Sequence, residues 1–204
     1  MHLAEIQANI QRFDPVRISK PELRKAAVSI VISYDRNGAA ESSVLLTLRN
    51  AKLKQHSGQY ALPGGKLDPE ETEIQAAVRE VQEEIGVSLA DQNLIGVLDD
   101  YQTRSGFLIT PVVFWIEADT VFTPCADEVE AIFKIPFREL DSEAIPIFEP
   151  GVDVDRPVLL SNFPTLGHKM YSPTASILYQ FREVALRGLS TRVAIYDQPG
   201  FAWK

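Results

Sequence analysis

An α/β sandwich is the fold class the sequence predicts. Two observations carry it. Residues 73–85 repeat apolar side chains at helical spacing between a capping residue and a glycine, which predicts one well-defined helix. Around it stand more numerous short β-branched runs, bounded by turn residues, which predict strands.

The elements follow in order. Leu3, Ile6, Ile10 and Phe13 recur at helical spacing, so a short amphipathic helix opens the chain, and Pro15 and Pro21 interrupt it. Residues 1–25 form a helical extension on this reading. Residues 27–34 predict a buried strand, Asp35-Arg36-Asn37-Gly38 a turn, and 43–49 a second strand. For the helix at 73–85, Thr72 is the cap and Gln75 its reciprocal partner. Its apolar stripe is Ile74, Ala77, Val78, Val81 and Ile85, and Gly86 falls where a left-handed residue ends a helix. Residues 94–98, 108–117 and 129–135 predict further strands, the last closed by Pro136. A second helix runs from about 175 to 186, with Ile177, Leu178, Phe181 and Ala185 inward and Gly188 at its end. The tail, 189–204, carries Tyr196, Phe201 and Trp203 and is apolar enough to dock on the domain or on a second subunit of a homodimer. No repeat, linker or low-complexity tract divides the 204 residues, which suits one domain over 1–204.

Charge narrows the partners. Twenty basic and 28 acidic side chains give a net charge of -8, which is no electrostatic footprint for nucleic acid or for an anionic membrane surface. Apolar stretches such as 26–31 and 111–116 are far too short to span a bilayer. Glu5 and the lack of a long apolar run argue against a secretory signal. Cys125 is the sole cysteine, so no internal disulfide forms, and it reads as structural. The expectation is a soluble cytoplasmic protein.

Glu80, Glu83 and Glu84 are spaced i, i+3, i+4 and share one helix face, with Glu73 and Glu70-Glu71 just upstream. Like charges at this spacing repel. A solvated face is the bland explanation, but within the helix only Arg79 is present to pair with them. A magnesium site explains the arrangement better, since hard cations take carboxylate oxygens together with substrate phosphates. Pro63-Gly64-Gly65 precedes the helix as a loop, and glycines there let backbone approach a metal or phosphate closely.

The whole segment reads Gly65, five residues, Glu71, seven residues, then Arg79-Glu80-Val81-Gln82-Glu83-Glu84-Ile85-Gly86-Val87. It resembles the Nudix box, G-x5-E-x7-R-E-U-x-E-E-x-G-U, at every defined position. The resemblance implies a Nudix-type α/β/α sandwich with a mixed β-sheet and the hydrolysis of a diphosphate bond with Mg²⁺ or Mn²⁺. It also implies roles by position. Glu83 and Glu84 match metal-binding carboxylates, and Glu80 matches a third that binds metal or helps activate water. The carbonyl of Gly64 or Gly65 completes the coordination. Arg79 and Glu71 brace the loop against the helix. Many members add a distal carboxylate after the box; Glu128 is the candidate, with Asp127 and Glu130 as rivals. Bound cations would neutralise the diphosphate and make water more acidic, so activity is expected to favour alkaline pH.

A narrower resemblance is to the coenzyme A pyrophosphatase branch. It rests on Leu45-Leu46-Thr47-Leu48-Arg49, Leu53-Lys54-Gln55-His56-Ser57-Gly58-Gln59 and Leu62-Pro63-Gly64-Gly65. It continues in Ser105-Gly106-Phe107, Thr110-Pro111-Val112-Val113, Asp127-Glu128-Val129 and Thr174-Ala175-Ser176-Ile177-Leu178. The implied reaction cuts coenzyme A to 3',5'-ADP and 4'-phosphopantetheine. Arg49 and Lys54 are the candidates for substrate phosphates, and His56 braces a loop or contacts substrate. Asn50, Lys54 and Leu62 depart from the branch's serine, arginine and phenylalanine, and a lysine loses the bidentate fork. The same box serves ADP-ribose, NADH, dinucleoside polyphosphates and nucleoside triphosphates. A non-catalytic nucleotide-sensing Nudix domain is the alternative of another class, against which the intact carboxylates stand.

Overall fold

Strand β1 (Arg24–Tyr34) runs through the middle of the molecule and is apolar because both its faces are covered. The computed structural model describes residues 2–34, 41–51, 58–151 and 155–200. On one face of β1, Ala27 meets Ala76 and Ala77 of helix α2 (Glu73–Ile85), and Val31 meets Val81 and Ile85 of the same helix. On the other, Ile30 and Ile32 pack with Ile6 and Ile10 of α1 (Leu3–Arg12) and with Ile177, Leu178 and Phe181 of the C-terminal helix. The alternation of strand side chains therefore builds three layers, α/β/α, as expected.

The main sheet is mixed. β1 pairs in parallel with β7 (Phe107–Glu117) along its whole length, Arg24 against Phe107 through Tyr34 against Glu117. Its other edge is divided. β2 (Ser43–Arg49) is antiparallel to β1 at Ile32–Val44 and Ser33–Ser43, while β4 (Gly64–Lys66) takes the N-terminal half, Ala26 to Val28. β3 (Tyr60–Ala61) pairs with the far end of β2. Residues 60–66 thus fill a wedge between two strands that part. β5 (Leu94–Val97) and β6 (Tyr101–Gln102) line β7, and β8 (Val129–Pro136) follows β2 with a bulge between Leu48 and Arg49.

After the short helix α3 (Phe137–Leu140), a second antiparallel sheet of β9 (Ile147–Glu149), β10 (Val158–Asn162) and β11 (Lys169–Tyr171) packs against α4 (Thr174–Phe181). α4 continues as a π-helical turn, Arg182–Leu186, and Gly188 ends it at φ +67°.

Several expectations need correction. The extension before β1 is helical only to Arg12, and residues 13–20 carry no helix. Gly64 and Gly65 lie in a strand, not a loop. Ile74 is 38% exposed, and Ala76 takes its expected place inward, packed with Ala27, Val112 and Phe114. The turn at 35–38, Lys54, His56, Phe201 and Trp203 lie outside the described residues. Among the described residues no helix is long and apolar enough to cross a membrane.

Two adjacent buried aspartates at the corner between β5 and β6 fasten the peripheral segments. Asp99 accepts hydrogen bonds from the Val16 amide (2.7 Å), Gln180 Nε2 (2.7 Å) and Arg192 (2.5 Å). Asp100 accepts from the Ile18 amide (2.8 Å) and Thr110 Oγ1 (2.7 Å) and forms an ion pair with Arg17 (2.9 Å). Removing this acceptor strands the buried Gln180 amide and two part-buried donors, so Asp99→Ala is expected to cost ~2 kcal/mol. A urea titration followed by circular dichroism checks this; an unchanged midpoint would show that the segment is held by apolar packing alone.

Candidate active site

Helix α2 is fixed at both ends. The Gln75 amide donates to Thr72 Oγ1 (3.2 Å), and the Thr72 amide donates to Gln75 Oε1 (2.9 Å), the reciprocal cap read from the sequence. At the other end Gly86 has φ +72°, and a Cβ there would lie 2.7 Å from the Thr123 carbonyl oxygen. The chain that follows β7 uses that space. The Thr123 amide donates to the Ile85 carbonyl (2.9 Å) and the Cys125 amide to the Glu84 carbonyl (3.0 Å).

This docking delivers Glu128. Its amide donates to the Cys125 carbonyl (3.0 Å), and its own carbonyl accepts from the Asn50 amide (2.9 Å). Glu128 is half-buried and its charge is felt by both Glu80 and Glu84, whereas Asp127 and Glu130 are exposed. Of the three rivals, the fold brings Glu128 to the helix.

Gly64 and Gly65 are required by close approach. A Cβ on Gly64 would lie 2.7 Å from Val28 Cα, and one on Gly65 would lie 2.6 Å from Glu80 Cδ. The Glu80 carboxyl therefore rests directly on the strand backbone. Burial, opposed by Arg79, pushes its pKa up, with the Glu83 and Glu128 charges adding.

The three helix carboxyls have different surroundings. Glu83 is 54% exposed at its side chain. Glu84 is 2% exposed, and its Oε2 is buried without a hydrogen-bond partner. Burial pushes Glu84 up to about 8; the Arg49 charge pulls the other way, and Glu80 and Glu128 reinforce the rise. A wholly solvated acidic face does not describe this helix.

Two arginines stand among these groups. Arg79 places Nε and Nη2 on the two oxygens of Glu71 (3.0 and 3.1 Å) and also reaches the Lys66 carbonyl (3.0 Å). Its Nη1 donates to Glu80 and Glu83, both at 2.9 Å. Glu71 also accepts from the Asp68 amide (2.9 Å), so the pair does brace β4 and the turn after it against α2. Arg49, turned toward α2 at the bulge in β2, has Nη1 3.6 Å from Glu84 Oε1. Among the described residues no three carboxylates converge as a formed metal centre; those of Glu80 and Glu83 are directed onto Arg79.

The donor set still suits a hard divalent cation. It offers carboxylate oxygens only, one of them buried and unpartnered, beside a strand of glycines. Two departures noted in the sequence are explained by packing. Leu62 is buried in the main core, and Asn50 Nδ2 donates to the Ala126 carbonyl (2.7 Å), tethering the segment that carries Glu128.

These features define a carboxylate-rich site on a helix that follows a glycine strand in an α/β/α sandwich, and comparison with known proteins gives the same class. The profile of the NUDIX domain matches residues 23–153, and the chain belongs to the Nudix family. It is similar to a protein named "Uncharacterized Nudix hydrolase NudL" from Cronobacter sakazakii, 36% identical over 133 residues, which are 64% of this chain and 68% of that one. A NudL of the same description from Pectobacterium atrosepticum is 43% identical over 98 residues, 48% of this chain and 51% of the relative. A solved MutT/nudix family protein from Enterococcus faecalis shares the fold at TM-score 0.50 and 16% identity, covering 83% of this chain and 62% of that one. Membership makes this a Nudix pyrophosphohydrolase, from a family that generally uses divalent metal ions.

Two outcomes follow from the geometry. Gly65→Ala is expected to displace a flexible carboxyl tip and so lower activity more than tenfold while changing stability by less than about 1 kcal/mol. Gly64→Ala meets fixed backbone and is expected to destabilise by at least ~2 kcal/mol. Thermal melts with a turnover assay separate the two, and equal stability losses would refute the distinction. The Arg79 hydrogen bonds hold the Glu71 carboxyl below its usual range, so the stability it lends is complete above about pH 4.5 and is lost as pH falls through its folded value. The stability gap between the unaltered protein and Glu71→Gln is therefore expected to shrink as pH is lowered from 6 to 3, in urea titrations at each pH.

Proposed function

We propose that this chain hydrolyses the diphosphate bond of coenzyme A or its derivatives, releasing 3',5'-ADP and 4'-phosphopantetheine or its acyl form, with Mg²⁺ or Mn²⁺. The observation that carries the reading is the buried, partnerless Glu84 oxygen set beside Glu80, Glu128 and the Gly64-Gly65 strand. Glu80, Glu83, Glu84 and Glu128, with a carbonyl of Gly64 or Gly65, would hold the cation. When bound, the cation supplies charge neutralisation for the diphosphate and acidifies water.

The chain's own residues do the rest. Arg79 and Glu71 hold the glycine strand at a fixed height over the helix. Glu80, resting on Gly65 with its pKa raised by burial, is placed to help activate an attacking water. Arg49 offers a guanidinium to a substrate phosphate at the mouth of the site. Leu62 and Asn50 touch core and backbone, so their difference from the coenzyme A branch leaves that substrate compatible. Lys54 and His56 complete the proposed contacts. The working unit is one domain over 1–204 in the cytoplasm.

The test is a panel of coenzyme A, acetyl-CoA, oxidised coenzyme A, ADP-ribose, NADH, diadenosine polyphosphates and nucleoside triphosphates with Mg²⁺, products identified by mass. Coenzyme A is expected to have the highest kcat/KM. Glu83→Gln is expected to lose more than about a hundredfold, beyond the range of residues that only orient a ligand. An inert coenzyme A beside another cleaved diphosphate would replace the substrate; full turnover by Glu83→Gln, or in excess chelator, would overturn the metal assignment.

A further inference from the structure

The two arginines at the site are held differently. Arg79 has hydrogen-bond partners at Nε, Nη1 and Nη2. Arg49 does not. Its Nη1 is 3.6 Å from Glu84 Oε1, beyond hydrogen-bond length, and its Nε is buried without a partner. Glu84 Oε2 is buried without a partner as well. A donor and an acceptor both left unmet in one ion pair describe a contact made by charge alone, and such a contact gives way to a better cation. The β2 bulge sits at Arg49, where the ladder to β8 is interrupted.

We propose that Arg49 is a resident counter-ion that a divalent cation displaces. In the resting chain its guanidinium neutralises buried Glu84. Glu84 would pass to a bound divalent cation, which would supply two charges in place of one, and Arg49 would then be released with its guanidinium available for an anionic phosphate. One positive group replaces another at one carboxylate, and a proton that burial keeps on Glu84 leaves to solvent in the exchange. The two events are then ordered, cation first and nucleotide second, and a single side chain couples them. This rests on the reading of Glu84 as a cation ligand.

The experiment is direct Mn²⁺ binding, read from the electron paramagnetic resonance of free Mn²⁺ without any substrate. Arg49→Met keeps the apolar stem and removes the charge, Arg49→Lys keeps a charge, and Lys25→Met removes a charge from the exposed start of β1. Arg49→Met is expected to bind Mn²⁺ at least about fivefold more tightly than the unaltered protein, because a competing unit charge under 4 Å away has gone. Arg49→Lys and Lys25→Met are expected to stay within about twofold. ADP affinity in the presence of saturating Mn²⁺ is expected to fall in Arg49→Met, the opposite sign to the metal. Unchanged or weaker Mn²⁺ binding by Arg49→Met, or an equal gain in Lys25→Met, overturns the exchange. If Arg49→Met fails to fold, Mg²⁺ titration of the unaltered protein decides: the Arg49 Nε resonance, assigned by its loss in Arg49→Lys, is expected to exchange faster with solvent, and an unmoved resonance overturns the proposal. Absence of Mn²⁺ binding by the unaltered protein overturns the carboxylate reading itself, and this one with it.

Discussion

β1 and β2 share two residue pairs and then diverge, and the site depends on what fills the gap. Residues 60–66 enter the wedge, pairing first with β2 and then with β1. Only a backbone without side chains fits at its narrow end, where Gly64 lies against Ala27 and Val28. The Pro63 carbonyl accepts from the Ser29 amide at 2.7 Å, and Ser29 Oγ in turn donates to the Ala77 carbonyl of α2. Strand, wedge and helix are thereby indexed to one another, and the carboxyl of Glu80 can lie on Gly65 only because all three are in place.

The site stores an electrostatic conflict. Burying Glu84 disfavours its charge, and the neighbouring Glu80 and Glu128 add to the penalty. Arginines relieve it only in part. Arg79 is committed to Glu71 and the Lys66 carbonyl, so it lends one nitrogen to Glu80 and Glu83. A region that concentrates negative charge without meeting its hydrogen bonds is unfavourable for folding alone and favourable for a bound cation.

Legibility in the sequence followed locality. The cap and C-terminal glycine of α2 are encoded within a few residues of the helix and the structure reproduces them, while of the expected stripe Ala77, Val81 and Ile85 are buried and Ile74 is not. Glu128 is the sequence's candidate with Asp127 and Glu130 as close rivals; its partial burial beside Glu80 and Glu84, which depends on long-range contacts that no periodicity encodes, distinguishes it from the two exposed residues. The strand identity of Gly64-Gly65 was hidden because glycine has low strand preference and its pairing partner is distant in sequence. The second sheet was missed because β9 and β11 are three residues each, too short to display a period. The ion pair of Arg49 with Glu84 joins two elements through a bulge, and bulges leave no compositional mark here.

The hydrogen bonds from Thr123 and Cys125 to the last carbonyls of α2 have a dynamic corollary. They make the approach to Glu128 an extension of the helix instead of an independent arm. Thermal displacement of the helix end carries Glu84 and Glu128 along in common mode, so their separation varies less than the position of either. A carboxylate recruited from far along the chain thus acquires the stiffness of a helical neighbour, and Phe122, packed against the core under α2, fixes the same segment a second time.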